Sequence, residues 1–323
     1  MTIIKKRAIL FTISFIILGA LIYYSGPYQI LQILLQVNPI YLLLALLLWA
    51  LGSVIRTLRW QILLKKINVK IHFSQSWQIY VASMFISNLT PVKTGDPMRS
   101  LILKRTNKKS FSKTLPSIIL ERILDLTVLM IIGFLSLIFL ASQIPQISKW
   151  FYLSSIAYVL IFIFGFYIIS SESRLEKIFS LFLRFFPFIP HIEKYKDKAK
   201  YFSKNIYNSF SQYKSFPTLL VSIVLTFIIW FLQAIITLLC FYSIGVSISL
   251  WACIAVIPLS VLIGILTFLP GTIGSSELVR VIFFTTLFSL TLSQVTTATI
   301  LSRLLSFWVY VFLGAFLFSL KFK

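Results

Sequence analysis

Leu269-Pro270-Gly271-Thr272-Ile273-Gly274-Ser275-Ser276-Glu277-Leu278-Val279-Arg280 interrupts an apolar stretch running from Trp251 to Leu290. Leu89-Thr90-Pro91-Val92-Lys93-Thr94-Gly95-Asp96-Pro97-Met98-Arg99 interrupts another, from Trp77 to Leu103. In both windows a proline is followed four residues on by glycine, then by an acid, and three residues after the acid by arginine. Proline removes a backbone donor and glycine admits conformations closed to other residues, so each window is expected to break a helix. Backbone groups freed by such a break are tolerated at membrane depth only where they line protein or water.

The surrounding sequence establishes the membrane. The chain has 323 residues, 59% of them hydrophobic, and a mean hydropathy of +0.95, far from the composition of a soluble domain. Apolar runs long enough for a hydrocarbon core of about 30 Å are Ala8–Tyr24, Pro39–Ile55, Pro116–Leu140, Phe151–Ser170, Pro217–Tyr242 and Thr296–Leu320. Lys5-Lys6-Arg7 before the first run resembles a signal peptide, but no small-residue cleavage site follows it, so an uncleaved first span is expected.

A net charge of +22 would suggest nucleic acid in a soluble protein; here its distribution is a topology signal. Of 30 Lys and Arg, 26 fall before the first span, in 56–72, in 93–113, in 171–216 and after Leu320. The alternate segments 25–38, 141–149, 243–250 and 291–295 hold only Lys149, and the remaining three are the apolar-segment arginines Arg122, Arg280 and Arg303. The positive-inside rule then puts both termini in the cytoplasm. The resulting expectation is an all-α polytopic membrane protein of about six full spans plus two re-entrant helical hairpins in an inverted-topology repeat. The first repeat covers 1–140 with its re-entrant segment at 77–103. The second covers 141–323, with a basic interfacial connector at 171–216 and its re-entrant segment at 251–290. Two complete spans joined at Pro270-Gly271 are the alternative for that last segment.

Four of the eight acids, Asp96, Glu121, Asp125 and Glu277, lie in or beside apolar segments. A charge at the centre of a bilayer costs about 2.5–3.5 kcal/mol on insertion scales, so each should face a partner, a wet cavity or a transported species. Asp96-Pro97 has the form of a helix start, and Glu277 falls where a helix beginning at Ser275 or Ser276 would favour negative charge. Capping is one reading of these two acids. The other is that two exposed helix N-termini, with Lys93, Arg99 and Arg280 nearby, offer an anion site. Glu121 and Asp125, four residues apart, share a helix face, with Arg122 about 100° round. They form either an assembly network, with Arg122 or Arg303 as partner, or part of a substrate or proton path; Arg303 is also a candidate counter-ion for Glu277.

Catalysis and metal binding find little support. The two histidines, His72 and His191, sit in expected cytoplasmic segments, and Cys240 and Cys253 have neither metal-ligand spacing nor a matched pair in an outer loop. No nucleophile elbow, P-loop or dinucleotide fingerprint occurs. No catalytic residue, metal or cofactor is therefore expected. The expected partners are anionic membrane lipids, with a lipid-modifying enzyme or a second copy of the chain as further candidates and no nucleic acid.

Pro91, Gly95, Asp96 and Arg99, then Glu121-Arg122 with Asp125, then Leu269-Pro270-Gly271 with Gly274 and Glu277, together resemble the flippase-like integral membrane family typified by the lysylphosphatidylglycerol synthase transmembrane region. The likeness in spacing extends over nearly the whole chain; where the family often has Glu, this chain has Asp96. The resemblance implies a stand-alone member without the soluble aminoacyl-transferring domain, moving an anionic phospholipid or lipid-linked headgroup across the cytoplasmic membrane. An intramembrane transferase, or a non-catalytic partner of a separate lipid-modifying or glycosyl-transferring enzyme, are the alternatives.

The charge asymmetry predicts that cysteines introduced at Ser25, Ser142 and Ser247 react with an impermeant thiol reagent from outside the cell. One at Ser203 should react only after permeabilisation; labelling there from outside would overturn the inverted arrangement.

Overall fold

The computed structural model describes residues 3–90, 93–141 and 215–322, with scattered positions between 142 and 214. Pro91, the expected span Phe151–Ser170 and the expected connector 171–216, apart from such scattered positions, lie outside the described residues. Among the described residues the chain is helical without β-strands: α1 (Ile3–Tyr24), α2 (Pro27–Leu35), α3 (Pro39–Lys66), α4 (Phe73–Asn88), α5 (Met98–Asn107), α6 (Phe111–Ala141), α7 (Phe216–Ser243), α8 (Leu250–Leu266), α9 (Ser275–Phe288), α10 (Leu292–Arg303), a π-helical turn (Leu304–Trp308) and α11 (Val309–Lys321).

Among the described residues, three continuous helical stretches have the length and apolar composition to cross a membrane: Pro39–Lys66, Phe216–Ser243 and Leu292–Lys321, the last running unbroken from α10 through the π turn into α11. A fourth arises if α1 and α2, bent by 80° between them, count as one span. Most of 25–38, which the charge count treats as a connection between spans, is folded into α2. Gly26, at φ 78, makes the elbow, and Pro27 opens the new helix with a φ already suited to it. The elbow is pinned to α10: Ser293 Oγ donates to the Ser25 carbonyl at 2.6 Å, and the Ser25 and Thr296 hydroxyls bond at 2.7 Å. Ser25 is consequently only 3% exposed, so Tyr24, which is exposed, is the better labelling position at this end.

α6 begins at Phe111, earlier than the expected start at Pro116, and carries that proline inside its second turn. At about 1.5 Å per residue its 31 residues extend about 46 Å. It combines ample length with Glu121, Arg122 and Asp125 on its first half.

Both expected breaks are present. Residues 89–97 separate α4 from α5, and 267–274 separate α8 from α9. These four helices have 16, 10, 17 and 14 residues, so each reaches about 26 Å or less and none alone matches a hydrocarbon core of about 30 Å. The sequence match extends to the backbone. The residue two after proline, Lys93 in one break and Thr272 in the other, adopts the left-handed region at φ 55 and φ 56. A bulky or branched residue there is uncommon and implies that the surroundings hold it.

The largest interface joins α3 to α7, followed by α4 on α11. The Asn38 N–H donates to the Ser243 carbonyl at 2.8 Å, tying the start of α3 to the end of α7. Small residues let backbones close up where α11 meets α4: a Cβ on Gly314 would lie 2.5 Å from the Val81 carbonyl oxygen. Indole donors stitch the first half together, Trp60 Nε1 to Ser117 Oγ at 3.2 Å and Trp77 Nε1 to Ser53 Oγ at 3.0 Å. Many buried hydroxyls instead donate to carbonyls three or four residues back in their own helix, as Ser83 does to Tyr80.

The two breaks touch. Gly271, at φ 57, packs so that a Cβ would lie 2.5 Å from both the Asn88 carbonyl oxygen at the end of α4 and the Phe307 ring. Gly271→Ala should therefore destabilise the protein by about 1–3 kcal/mol from backbone strain alone, with the clash added. Gly19, whose Cβ would meet nothing within 4 Å, is the control. Thermal unfolding in detergent should show a lowered midpoint for Gly271→Ala and little change for Gly19→Ala; equal midpoints would contradict the packing of the breaks.

Candidate functional site

α3, α5 and α6 converge on one carboxylate. Glu121 of α6 is fully buried, and Arg99 of α5 donates through Nη1 to its Oε2 at 2.5 Å. Arg59 of α3 reaches its Oε1 through Nε at 3.4 Å. Arg59 Nη1 donates further to Asp125 Oδ1 and to Thr226 Oγ1 of α7, both at 2.7 Å. The Arg99 guanidinium also lies over the rings of Trp60 and Tyr80, 5.2 and 4.8 Å from their centroids. Those π faces offset part of its desolvation while Nε and Nη2 find no hydrogen-bond partner among the described residues.

Arg122 carries the network towards the surface of the bundle. It pairs with Asp125 Oδ2 at 3.2 Å and with Asp96 Oδ2 at 2.5 Å, the latter without hydrogen-bond alignment. Asp96 accepts a short hydrogen bond from Ser87 Oγ at the end of α4. A gradient results. The side chains of Arg59, Arg99 and Glu121 are at most 1% exposed, whereas Asp125 is 12% and Arg122 25% exposed. Lys93 is openly exposed in the break itself.

The second break has its own cluster. Arg303, the last residue before the π turn, donates through Nε to Glu277 at 2.5 Å and through Nη2 to the Gly271 carbonyl at 2.8 Å. Its guanidinium sits 4.4 Å from the Phe307 centroid. The wider π turn thus follows directly on the arginine that grips the break, a position where π-bulges recur at functional sites. Ser276 Oγ donates to the other Glu277 oxygen at 3.0 Å. Arg280 is 2% exposed and among the described residues has no carboxylate in salt-bridge contact; it donates to the hydroxyls of Ser260 on α8 and Ser302 on α10, each at 3.1 Å.

Neither acid of the breaks makes a side-chain cap. Pro97 is the N-cap residue of α5 and Gly274 that of α9, and no side-chain cap bond occurs at either. Asp96 and Glu277 instead face Arg122 and Arg303. Glu277 does lie in the first turn of α9, where the helix dipole favours it. The structure brings Asp96, Arg99, Glu121, Arg122 and Asp125 into one connected network and puts Glu277, Arg280 and Arg303 around the other break. The expected pairing of Arg303 with Glu121 or Asp125 does not occur, since Arg303 is committed to Glu277 and Gly271. Gly95 lets the first break fold onto α4, a Cβ there lying 2.8 Å from the Ile86 carbonyl group. Gly274, at φ 82, approaches the Ser14 carbonyl of α1 equally closely, and Pro270 stands between α8 and the contact with Asn88.

The sequence did not single out Arg59. It stands among five basic residues in 56–72 and reads as part of a cytoplasmic cluster, yet α3 continues unbroken to Lys66 and keeps Arg59 inside the bundle. The available signal was the unbroken helix periodicity through Trp60, Leu63 and Leu64, which puts Arg59 next to core positions.

The family model described as the lysylphosphatidylglycerol synthase TM region matches residues 10–314, and so includes every residue of both clusters. The chain belongs to the lysylphosphatidylglycerol synthase transmembrane-region family. Its relatives in that family include UPF0104 membrane proteins along nearly their whole lengths. One from Methanothermobacter thermautotrophicus is 25% identical, with 96% of this chain and 94% of the relative covered. Another from Methanocaldococcus jannaschii is also 25% identical over the same shares, and one from Pyrococcus horikoshii is 25% identical over 97% of this chain and 96% of the relative.

In this family member, Glu121 is the acid whose loss should cost most, because two buried guanidinium groups would be left with less than their charge in partners. Glu121→Gln should destabilise by about 3–5 kcal/mol, as expected for removal of one side of a buried pair. Asp125→Asn, nearer the surface and sharing its arginines with other acids, should cost clearly less. Denaturant unfolding in mixed micelles provides the comparison; equal losses would contradict the exposure gradient.

Proposed function

We propose that this protein translocates an anionic phospholipid or lipid-linked headgroup across the membrane, with no bond made or broken. The observation that carries the reading is the junction of two helix breaks, Gly271 against the Asn88 carbonyl, flanked by clusters in which cations outnumber carboxylates. Short helices broken at proline and glycine, meeting from two halves of a chain, are how many transporters build a site within the bilayer. On this reading α4–α5 and α8–α9 are re-entrant hairpins entered from opposite faces, both termini are cytoplasmic, and the membrane is the cytoplasmic one.

The division of labour follows the gradient. Arg59, Arg99 and Glu121 are sealed and act as scaffold. Lys93, Arg122 and Asp125 stand at the more open end, where a headgroup can exchange with water, with Asp96, 4% exposed, just behind them on Arg122. Glu277 and Arg303 hold the second break, and Arg280, which touches hydroxyls and no carboxylate, retains charge for an anion. Alternating exposure requires these ion pairs to re-form with the ligand present or absent, so Asp96 and Asp125 act by releasing and recapturing Arg122, and Glu277 by releasing and recapturing Arg303. The match to a family described by a lipid synthase transmembrane region supports lipid as the cargo.

Asp96→Asn and Glu277→Gln remove charge with little change of shape. In proteoliposomes, with translocation read as protection of a labelled anionic lipid from an impermeant quencher, each should slow transport at least about tenfold, a barrier change of about 1.4 kcal/mol, while remaining folded. Arg280→Gln should weaken lipid binding. Unaltered transport by all three would reject this site, and no transport by the wild type across a broad lipid panel would favour the partner-subunit reading.

A further inference from the structure

A cavity of about 470 Å³ lies between α5 and the end of α11. Its walls are apolar on both sides, with Met98 and Leu101 from α5 and Phe318 and Phe322 from the other, while Arg105, Thr106 and Lys321 line it at the helix ends. Both helices pack on α4, and Lys321 Nζ donates to Gln78 Oε1 of that helix at 3.0 Å. Among the described residues no acid lines the cavity, and neither Arg105 nor Lys321 lies within salt-bridge distance of a carboxylate. Gln78 is neutral, so it orients Lys321 without cancelling its charge. Each cation sits in the last turn of its helix, where the dipole suits it. That accounts for each singly, but not for two of them opening on one cavity with apolar walls.

The depth of the cavity follows from the span that ends there. Leu292–Lys321 has 30 residues and so extends about 45 Å, against a hydrocarbon core of about 30 Å. Its terminal lysine reaches the headgroup region, and Arg105 shares the cavity with it. Met98, seven residues before Arg105, lies about 10 Å further in along α5. Polar head and apolar body are thus arranged along the same direction as in a lipid of the adjoining leaflet.

We propose that this cavity seats an anionic phospholipid, its phosphate on Arg105 and Lys321 and the upper part of its acyl chains between Leu101 and Phe318. The guanidinium can engage two phosphate oxygens as a planar fork, and the ammonium acts as a compact charge beside it. A zwitterionic lipid brings its own ammonium next to the phosphate, which two uncompensated cations repel; an anionic diester does not. The volume takes a headgroup and the tops of the chains and leaves the tails in the bilayer. A lipid held here bridges α5 and α11 whether or not the protein moves lipid, so the site does not rest on the transport reading.

The test places a bimane label on Thr106→Cys in the full chain, reconstituted in nanodiscs. Thr106 is exposed at the rim and its hydroxyl bonds only within α5, and the native Cys240 and Cys253 are buried. Bromine quenches on contact, so brominated lipids report occupancy at this position alone. Brominated phosphatidylglycerol should reach half-maximal quenching at about tenfold lower mole fraction than brominated phosphatidylcholine. Arg105→Gln combined with Lys321→Gln should bring the two lipids to within about twofold of each other. Lys104→Gln combined with Lys108→Gln removes the same charge from exposed positions that do not line the cavity, and should leave the preference intact. Equal quenching by the two lipids before these substitutions, or a preference that survives loss of Arg105 and Lys321, would overturn the site. An equal loss in the Lys104 and Lys108 control would also overturn it, reducing the effect to general attraction by a basic surface. Soluble glycerol 3-phosphate should not relieve the quenching; relief would assign the cavity to a water-soluble phosphate and reject a lipid occupant.

Discussion

Glu121 is the fixed point of this structure. A carboxylate with no exposed surface is tolerable only when fully paired, and its two arginines come from different helices, Arg59 from α3 and Arg99 from α5. Satisfying it therefore dictates where three helices cross. Arg59 extends the demand to Asp125 and to Thr226 of α7, drawing in the helix that forms the largest interface with α3. Arg99 in turn fixes the start of α5 and with it the path of the first break. Apolar packing in lipid gives helices little reason to choose one neighbour over another, so a buried charge network supplies specificity that a stripe of leucine does not.

The two halves use their charge differently. Around the first break three acids meet three arginines in a continuous network graded from sealed to open. Around the second, Glu277 pairs with Arg303 and accepts from Ser276, and Arg280 rests on serine hydroxyls. Where the breaks meet, backbone lies close to backbone, Gly271 against Asn88, with Arg303 bonded to the carbonyl of that same glycine. The arginine is followed at once by the π turn, so its helix already departs from regular geometry where it holds the break.

Much of this was legible in the residues. Pro270-Gly271 and the Pro91 to Asp96 window announced breaks because proline and glycine act locally, and the structure has both. Glu121 and Asp125 were recognisable as one face from their spacing alone. Arg59 was hidden because counting charges by loop assigns a basic residue to the exterior whenever other basic residues surround it, and only the length of α3 reveals otherwise. The helix-start patterns at Asp96-Pro97 and at Ser275 to Glu277 were legible as starts, but whether an acid caps or pairs depends on which way its side chain turns, and arginines distant in sequence decided that. α2 was missed for a related reason: an outer segment of only 14 residues reads as a connection until Ser293 and Thr296 of α10 pin its elbow.

The central claim is that the junction of the breaks is a single site reached from either side of the membrane in turn. Thr94, exposed in the first break and outside every ion pair described above, reports on this directly as a single cysteine, since the native Cys240 and Cys253 are buried. In sealed vesicles of uniform orientation, Thr94→Cys should react with a membrane-impermeant maleimide added to either side. Reaction from one side alone, whatever the lipid composition, would contradict the account.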